Sequence, residues 1–164
     1  MVTILLKEFT IYAIHWLEHN NRFLWQTHKW HHSTEQMWWL PAQKTSFFGM
    51  LTKKSAYLWF ILLAIPLRIV VVLGVISLVN AFFVHANLKP QKWMKGVELV
   101  FVTPRFHTIH HIDNPEVHGK NLGTMFTFFD RLFGTYVDPD TIDHSQKQFG
   151  LDGEPVTVKM IVGI

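Results

Sequence analysis

Between Ile69 and Val84 the chain carries no charged residue, and from Phe47 to Ile65 it carries only Lys53 and Lys54. A helix that is apolar all round has no face to turn to water, so these stretches read as membrane-embedded. Pro66-Leu67-Arg68 separates them. One path is a single kinked span from Ala56 to Val84. The other is a hairpin turning near Pro66 to Arg68, with arms of about 19 residues, near the lower limit for a crossing. A kinked span would hold Arg68 at mid-membrane, where a charge is costly. The hairpin places Arg68 at the far interface and is the expected topology.

Composition agrees. Hydrophobic residues make up 49% of 164 and charged residues 16%, against a usual charged share of about 25%. Such a chain is not disordered. A net charge of +3 with no dense Lys/Arg stripe argues against nucleic acid as a partner. The absence of cysteine excludes disulfides, thiolate metal sites, iron–sulfur clusters and thiol nucleophiles. Histidine is abundant, at 11 residues, alongside 7 Trp and 14 Phe.

Residues 1–19 read as a mostly apolar helix, somewhat short of the roughly 20 residues a crossing needs. They lack the marks of a secretory leader. The expectation is the inner half of a longer helix or a missing upstream span. Residues 20–46 are polar and aromatic, with a break at Pro41. Residues 89–106 form an amphipathic connection whose Lys89, Lys92, Lys95 and Trp93 suit a membrane interface. Pro104 sits where a helix opens. Residues 112–164 are polar and Gly/Pro-punctuated, apart from Phe126 to Phe133, and Val156 to Ile164 is β-prone.

His15 and His19 are four apart, while His28-x-x-His31-His32 and His107-x-x-His110-His111 repeat one pattern. Spacings of three and four put side chains on one helix face. Taken singly, each histidine is more often a satisfied core residue. Together with His85 at the end of the apolar region, these nine are too many donors for one ion and fit two. Imidazole suits Fe, Zn, Cu and Ni. One shared site also tests topology: two crossings return the chain to the same side, and one would split the ligands. Lys44, Lys53, Lys54, Lys89, Lys92 and Lys95 fall on or near that side, which the positive-inside tendency makes cytoplasmic. His144 reads as a solvated residue.

With these residues in view, the chain resembles the fatty acid hydroxylase/sterol desaturase superfamily. The resemblance runs through His15-x-x-x-His19, then Leu24-Trp25-Gln26-Thr27-His28-Lys29-Trp30-His31-His32-Ser33. It continues through Phe83-x-His85-x-Asn87 and Thr103-Pro104-Arg105-Phe106-His107-Thr108-Ile109-His110-His111. It ends with Asn121-Leu122-Gly123 and Asp130-Arg131-Leu132-Phe133-Gly134-Thr135-Tyr136. It covers about residues 8–140. The first box departs from the family pattern, with Glu8 upstream and Trp16 after His15.

The resemblance implies an all-α integral membrane helical bundle: a catalytic domain over residues 1–140 with a transmembrane hairpin, then a polar tail over 141–164. It implies a cytoplasm-facing histidine-box site holding two Fe ions; Zn outcompetes Fe(II) at many nitrogen sites and can take their place in purified protein. The ligands would be His15, His19, His28, His31, His32, His85, His107, His110 and His111, with His118 as a tenth. Glu8 shares a helix face with Tyr12, His15 and His19 and is a candidate to orient a ligand; Glu35 is a weaker one. Asp130 and Arg131 read as closing the fold. The implied activity is O2-dependent hydroxylation or desaturation of a lipid C–H bond: sterol, fatty acyl or related. Trp25, Trp30, Trp38, Trp39, Phe82 and Phe83 are candidates to line the lipid's path. Electrons would come from cytochrome b5 or a ferredoxin-type donor, in a bacterial inner membrane or the endoplasmic reticulum. Three rivals stay open: a metal-dependent hydrolase, a metal or haem carrier, and a truncated paralogue that binds Zn or Fe without turnover.

Overall fold

The computed structural model describes residues 2–142 and 148–164, so His144 lies outside the described residues. Helix α1 covers Val2–Asn20 and α2 covers Arg22–His32. A single residue, Asn21, joins them, and its side chain accepts from the backbone N–H groups of Phe23 and Leu24 at 2.9 and 3.2 Å. That cap starts α2 at once, so the two helices pack side by side and carry their histidines to a common face. Pro41 then confines residues 40–43 to a short 3-10 turn.

Helix α3 spans Phe47–Lys54. The Ser46 hydroxyl accepts from Gly49 N–H at 3.0 Å and donates to the Thr27 carbonyl at 2.5 Å, which ties the start of α3 to α2. A Cβ on Gly49 would lie 2.4 Å from that carbonyl oxygen. After a 3-10 turn, α4 covers Leu58–Leu62. The chain reverses through residues 63–66, where Ala64 takes a φ of 48°, and α5 runs Leu67–His85. Among the described residues, only α5 is long and apolar enough to cross a membrane. The first arm of the expected hairpin is instead segmented, because Lys53 turns away from the apolar surface toward His28 and Glu18. The reversal falls just before Pro66, and Leu67 and Arg68, expected in the turn, already belong to α5. The segment leaves the histidines at Lys53 and returns to them at His85.

Helices α6 (Lys92–Val97), α7 (Pro104–His110) and α8 (Phe128–Phe133) follow. Pro104 opens α7 as its position implies, with Thr103 Oγ1 accepting from Phe106 N–H. Buried Arg105 holds Glu98 through its Nε and Nη2. No strand forms among the described residues; Phe101 and Phe126 make one isolated antiparallel bridge. The β-prone end is a short helix, α9 (Val158–Val162). Thr157 caps its start, Gly163 stops it at φ 91°, and Met160 is buried. Capping and burial outweigh the local β preference of Val156 and Val158.

Gly49→Ala forces α2 and α3 apart and should cost about 1–3 kcal/mol, the usual range for overpacking. Gly96, with nothing within 4 Å of an added Cβ, is the control: Gly96→Ala should be neutral or stabilising. Thermal unfolding in detergent distinguishes the two. Equal melting temperatures would contradict the close packing.

Candidate metal centre

Four helices deliver nine histidines to the interior, none more than 8% exposed. They form two groups. His15, His19, His28, His32 and His110 make one; His31, His85, His107 and His111 make the other. Within each group, one ligand atom from every residue lies within 4.8 Å of the rest. Both groups draw on α2 and on the α7 region. Residues 28 and 32, four apart, face the first group and residue 31 the second. Residues 107 and 111 face the second and residue 110 the first. The groups adjoin, with the His32 and His111 rings stacked at 4.7 Å.

Hydrogen bonding fixes several tautomers. His15 Nδ1 lies 2.8 Å from the Leu122 carbonyl, His110 Nδ1 3.0 Å from that of Lys120, and His85 Nδ1 2.8 Å from that of Ala81. A carbonyl only accepts, so each Nδ1 carries the proton and each Nε2 of a neutral ring presents a bare lone pair. Yet the Nε2 atoms of His15 and His110 are 3.0 Å apart. Two lone pairs at that distance repel unless a cation sits against both. In the second group His85 Nε2 lies 3.2 Å from His31 Nε2 and 3.1 Å from His107 Nε2. Both ring nitrogens of His19 lack a hydrogen-bond partner. Burial, above all, holds His28, His32, His107 and His111 well below the usual histidine range and His110 at about 3. The rings are therefore neutral, the form that coordinates. An imidazole-only set of this kind fits the borderline ions Fe, Zn, Cu and Ni.

The loop that supplies two of these carbonyls is itself pinned. Asp130 is fully buried and accepts from Leu122 N–H at 2.7 Å, Gly123 N–H at 2.8 Å and Thr135 Oγ1 at 2.7 Å. Tyr12 on α1 donates to Thr135 Oγ1 at 2.7 Å. Asn121, at φ 52°, accepts from Val137 N–H and donates to the carbonyls of Phe106 and Val137. Asp130 thus closes the fold, as its sequence context suggests. Arg131 stacks on Tyr136, 3.9 Å from the ring centre.

His118 stays outside both groups; its Nε2 faces the His19 carbonyl at 3.3 Å, and its ring lies 4.9 Å from that of His19. Glu8 reaches no histidine among the described contacts. Its carboxylate takes Lys7 Nζ at 2.6 Å and Thr124 Oγ1 at 2.8 Å. Glu35 is exposed. Trp25 packs on His19 and His32 with ring centres 5.2 and 5.3 Å away. Sequence reasoning missed Glu18 and Lys53. Buried Glu18 places Oε2 3.5 Å from His28 Nδ1 and 3.5 Å from Lys53 Nζ, and that oxygen has no hydrogen-bond partner. The available signal was its place inside the first box, three residues after His15.

Comparison with known proteins agrees with this site. The fatty acid hydroxylase family profile matches residues 1–135, and the chain belongs to that family. It is 28% identical over 137 residues to ornithine lipid hydroxylase OlsE of Rhizobium tropici, covering 83% of this chain and 41% of that protein. It is 30% identical over 127 residues to alkylglycerol monooxygenase of Danio rerio, covering 76% and 27%. With the Homo sapiens alkylglycerol monooxygenase it shares 29% over 133 residues, covering 79% and 28%. The chain spans less than half the length of these relatives. No solved structure matches it.

The lowered histidine values set a pH dependence. An unfolded histidine takes its proton near about pH 6.5, whereas these buried rings resist it. Stability is therefore full above that value and is lost as pH falls below it toward the folded-state values. Protein stripped of metal with a chelator should melt at steadily lower temperature between about pH 7 and pH 4. A flat profile would contradict burial of neutral rings.

Proposed function

We propose that this member of the fatty acid hydroxylase family is an O2-dependent lipid hydroxylase working with two bound iron ions, one in each histidine group. The observation that carries the reading is the pair of adjoining, imidazole-only clusters whose inward Nε2 atoms approach to 2.9–3.2 Å. His15, His19, His28, His32 and His110 would hold one ion; His31, His85, His107 and His111 would hold the other. When bound, the irons supply O2 activation and attack on an unactivated C–H bond. The overall balance is RH, O2, two electrons and two protons giving ROH and water. Hydroxylation is preferred to desaturation because the relatives are named a hydroxylase and monooxygenases.

The chain's own residues do the rest. The carbonyls of Leu122, Lys120 and Ala81 hold Nδ1 protons and aim the opposite nitrogens inward. Burial excludes water from the donors. Glu18 sets a carboxylate beside His28. The electrons come from an external carrier, cytochrome b5 or ferredoxin-type. Residues 47–85 are read as the membrane hairpin of a bacterial inner membrane or the endoplasmic reticulum, with the histidines and nearby lysines on the cytoplasmic face.

Elemental analysis of detergent-purified protein should give about two iron per chain, and His28→Ala and His111→Ala should each lower it. Glu18→Gln removes a charge but no ligand; it should weaken metal retention by about 10–100-fold with little change in melting temperature. With a reductant and a lipid substrate, consumed O2 should match lipid gaining one oxygen. Metal bound without O2 consumption would instead favour the paralogue without turnover.

A further inference from the structure

The outer nitrogen of His28 meets two charged side chains that make opposite demands on it. Lys53 Nζ lies 3.1 Å from Nδ1 and Glu18 Oε2 lies 3.5 Å from it. An ammonium only donates and a carboxylate only accepts. Lys53 therefore requires a bare Nδ1, which puts the proton of the neutral ring on Nε2. Glu18 requires a protonated Nδ1, which leaves Nε2 bare. Only the second form can bind an ion through the inward nitrogen.

The inward side shows which demand is met. His15 Nδ1 donates to the Leu122 carbonyl, so His15 Nε2 is a lone pair, and it lies 2.9 Å from His28 Nε2. A proton on His28 Nε2 turns that contact into an N–H···N hydrogen bond. A bare nitrogen there would set two lone pairs face to face. Glu18 Oε2, meanwhile, is buried without a hydrogen-bond partner, although such oxygens are normally satisfied. The contacts agree: Lys53 holds the ring in the form that does not coordinate, and Glu18 offers an acceptor to the form that does.

The scaffold places both groups. Ser46 ties the start of α3 to Thr27, the residue before His28, and Lys53 lies in the last turn of that short helix. Thr27 Oγ1 lies 3.2 Å from Glu18 Oε1, which leaves Oε2 toward His28. The Lys53 side chain is 27% exposed and lines a cavity of about 710 Å³ between α3 and α5. It has room to withdraw from Nδ1, and Glu18 Oε2, 3.5 Å from Nζ, gives it another partner.

We propose that Lys53 and Glu18 form a tautomer switch that governs ion entry to the first histidine group. With Lys53 on Nδ1, His28 offers an N–H inward and the group is closed. When Lys53 withdraws, one proton leaves Nε2 and one reaches Nδ1 by exchange with solvent. The ring stays neutral, Nδ1 donates to Glu18, and Nε2 supplies its lone pair. Hydrogen bonds to charged groups are roughly twice as strong as neutral ones, so each partner biases the ring, in opposite directions. The inference rests on the reading of this group as an ion site.

Protein labelled with nitrogen-15 histidine and stripped of metal with a chelator reports each tautomer through its ring nitrogen shifts. The His28 signal, assigned by its loss in His28→Gln, should be the Nε2–H form. His15, His85 and His110 should be Nδ1–H. Lys53→Met should move His28 to the Nδ1–H form, and Lys53→Arg, which keeps charge and donors, should leave it unchanged. Zinc, a redox-inert probe, is then titrated in competition with a chelator in a His111→Ala background, so that it reports the first group. It should bind roughly tenfold more tightly in Lys53→Met, no more tightly in Lys53→Arg, and more weakly in Glu18→Gln. If Lys53→Met fails to fold, the His28 tautomer of the unaltered sequence decides. An Nδ1–H form there, or a tautomer that Lys53→Met leaves unchanged, would overturn the switch. Tighter zinc binding with no change of tautomer would reduce Lys53 to a repelling charge and overturn it as well. No zinc uptake by any of these proteins, with the tautomers as stated, would instead overturn the ion-site reading.

Discussion

The bare Nε2 atoms of His15 and His110, 3.0 Å apart in a dry interior, repel one another, and much of this fold serves to keep them there. Free to rotate, each ring would turn its lone pair toward a donor. The structure prevents that by giving the far side of the rings something better: a carbonyl for the Nδ1 proton of His15, His85 and His110. Each such bond is worth only about 1 kcal/mol net. Its value lies in direction, because it decides which nitrogen is left bare.

Those carbonyls would be poor guides if the loop holding them moved. Residues 122 and 123 are held from behind by Asp130, whose two oxygens take their N–H groups and the Thr135 hydroxyl. Close packing enforces the same loop: a Cβ on Gly123 would lie 2.4 Å from the Phe126 carbonyl oxygen. The Asn-Leu-Gly and Asp-Arg-Leu-Phe-Gly-Thr segments of the sequence therefore act on the centre from outside it. Tyr12 closes the circuit by joining Thr135 to the helix that carries His15 and His19.

Much of this was legible in the sequence because it is local. Helix α1, the opening of α7 at Pro104 and the reversal near Pro66 follow from apolar runs, caps and breakers. The joint placement of nine histidines followed from their number and spacing. The division of each box between two groups was not legible. His28, His31 and His32 lie close together on α2, and only their contacts with the histidines of the α7 region decide which group each joins. Glu18 was hidden for a related reason: its partner Lys53 is remote in sequence and reads as an interfacial charge in an otherwise largely apolar run. Glu8 was placed on the right face, yet its nearest cation is its own neighbour, and that pairing drew it away from the histidines. At α9, a cap and one buried methionine reversed a local preference that a short segment cannot enforce.

The sharing of α2 and the α7 region between both groups has a geometric corollary. The two ligand groups are set apart by a distance that the helical repeat fixes, since each helix feeds one group from residues i and i+4 and the other from the position between them. The spacing of the two groups is then a property of backbone pitch. Loops between the boxes can lengthen or shorten without altering the gauge, whereas inserting one residue inside a box would rotate its histidines out of phase and dismantle both positions together.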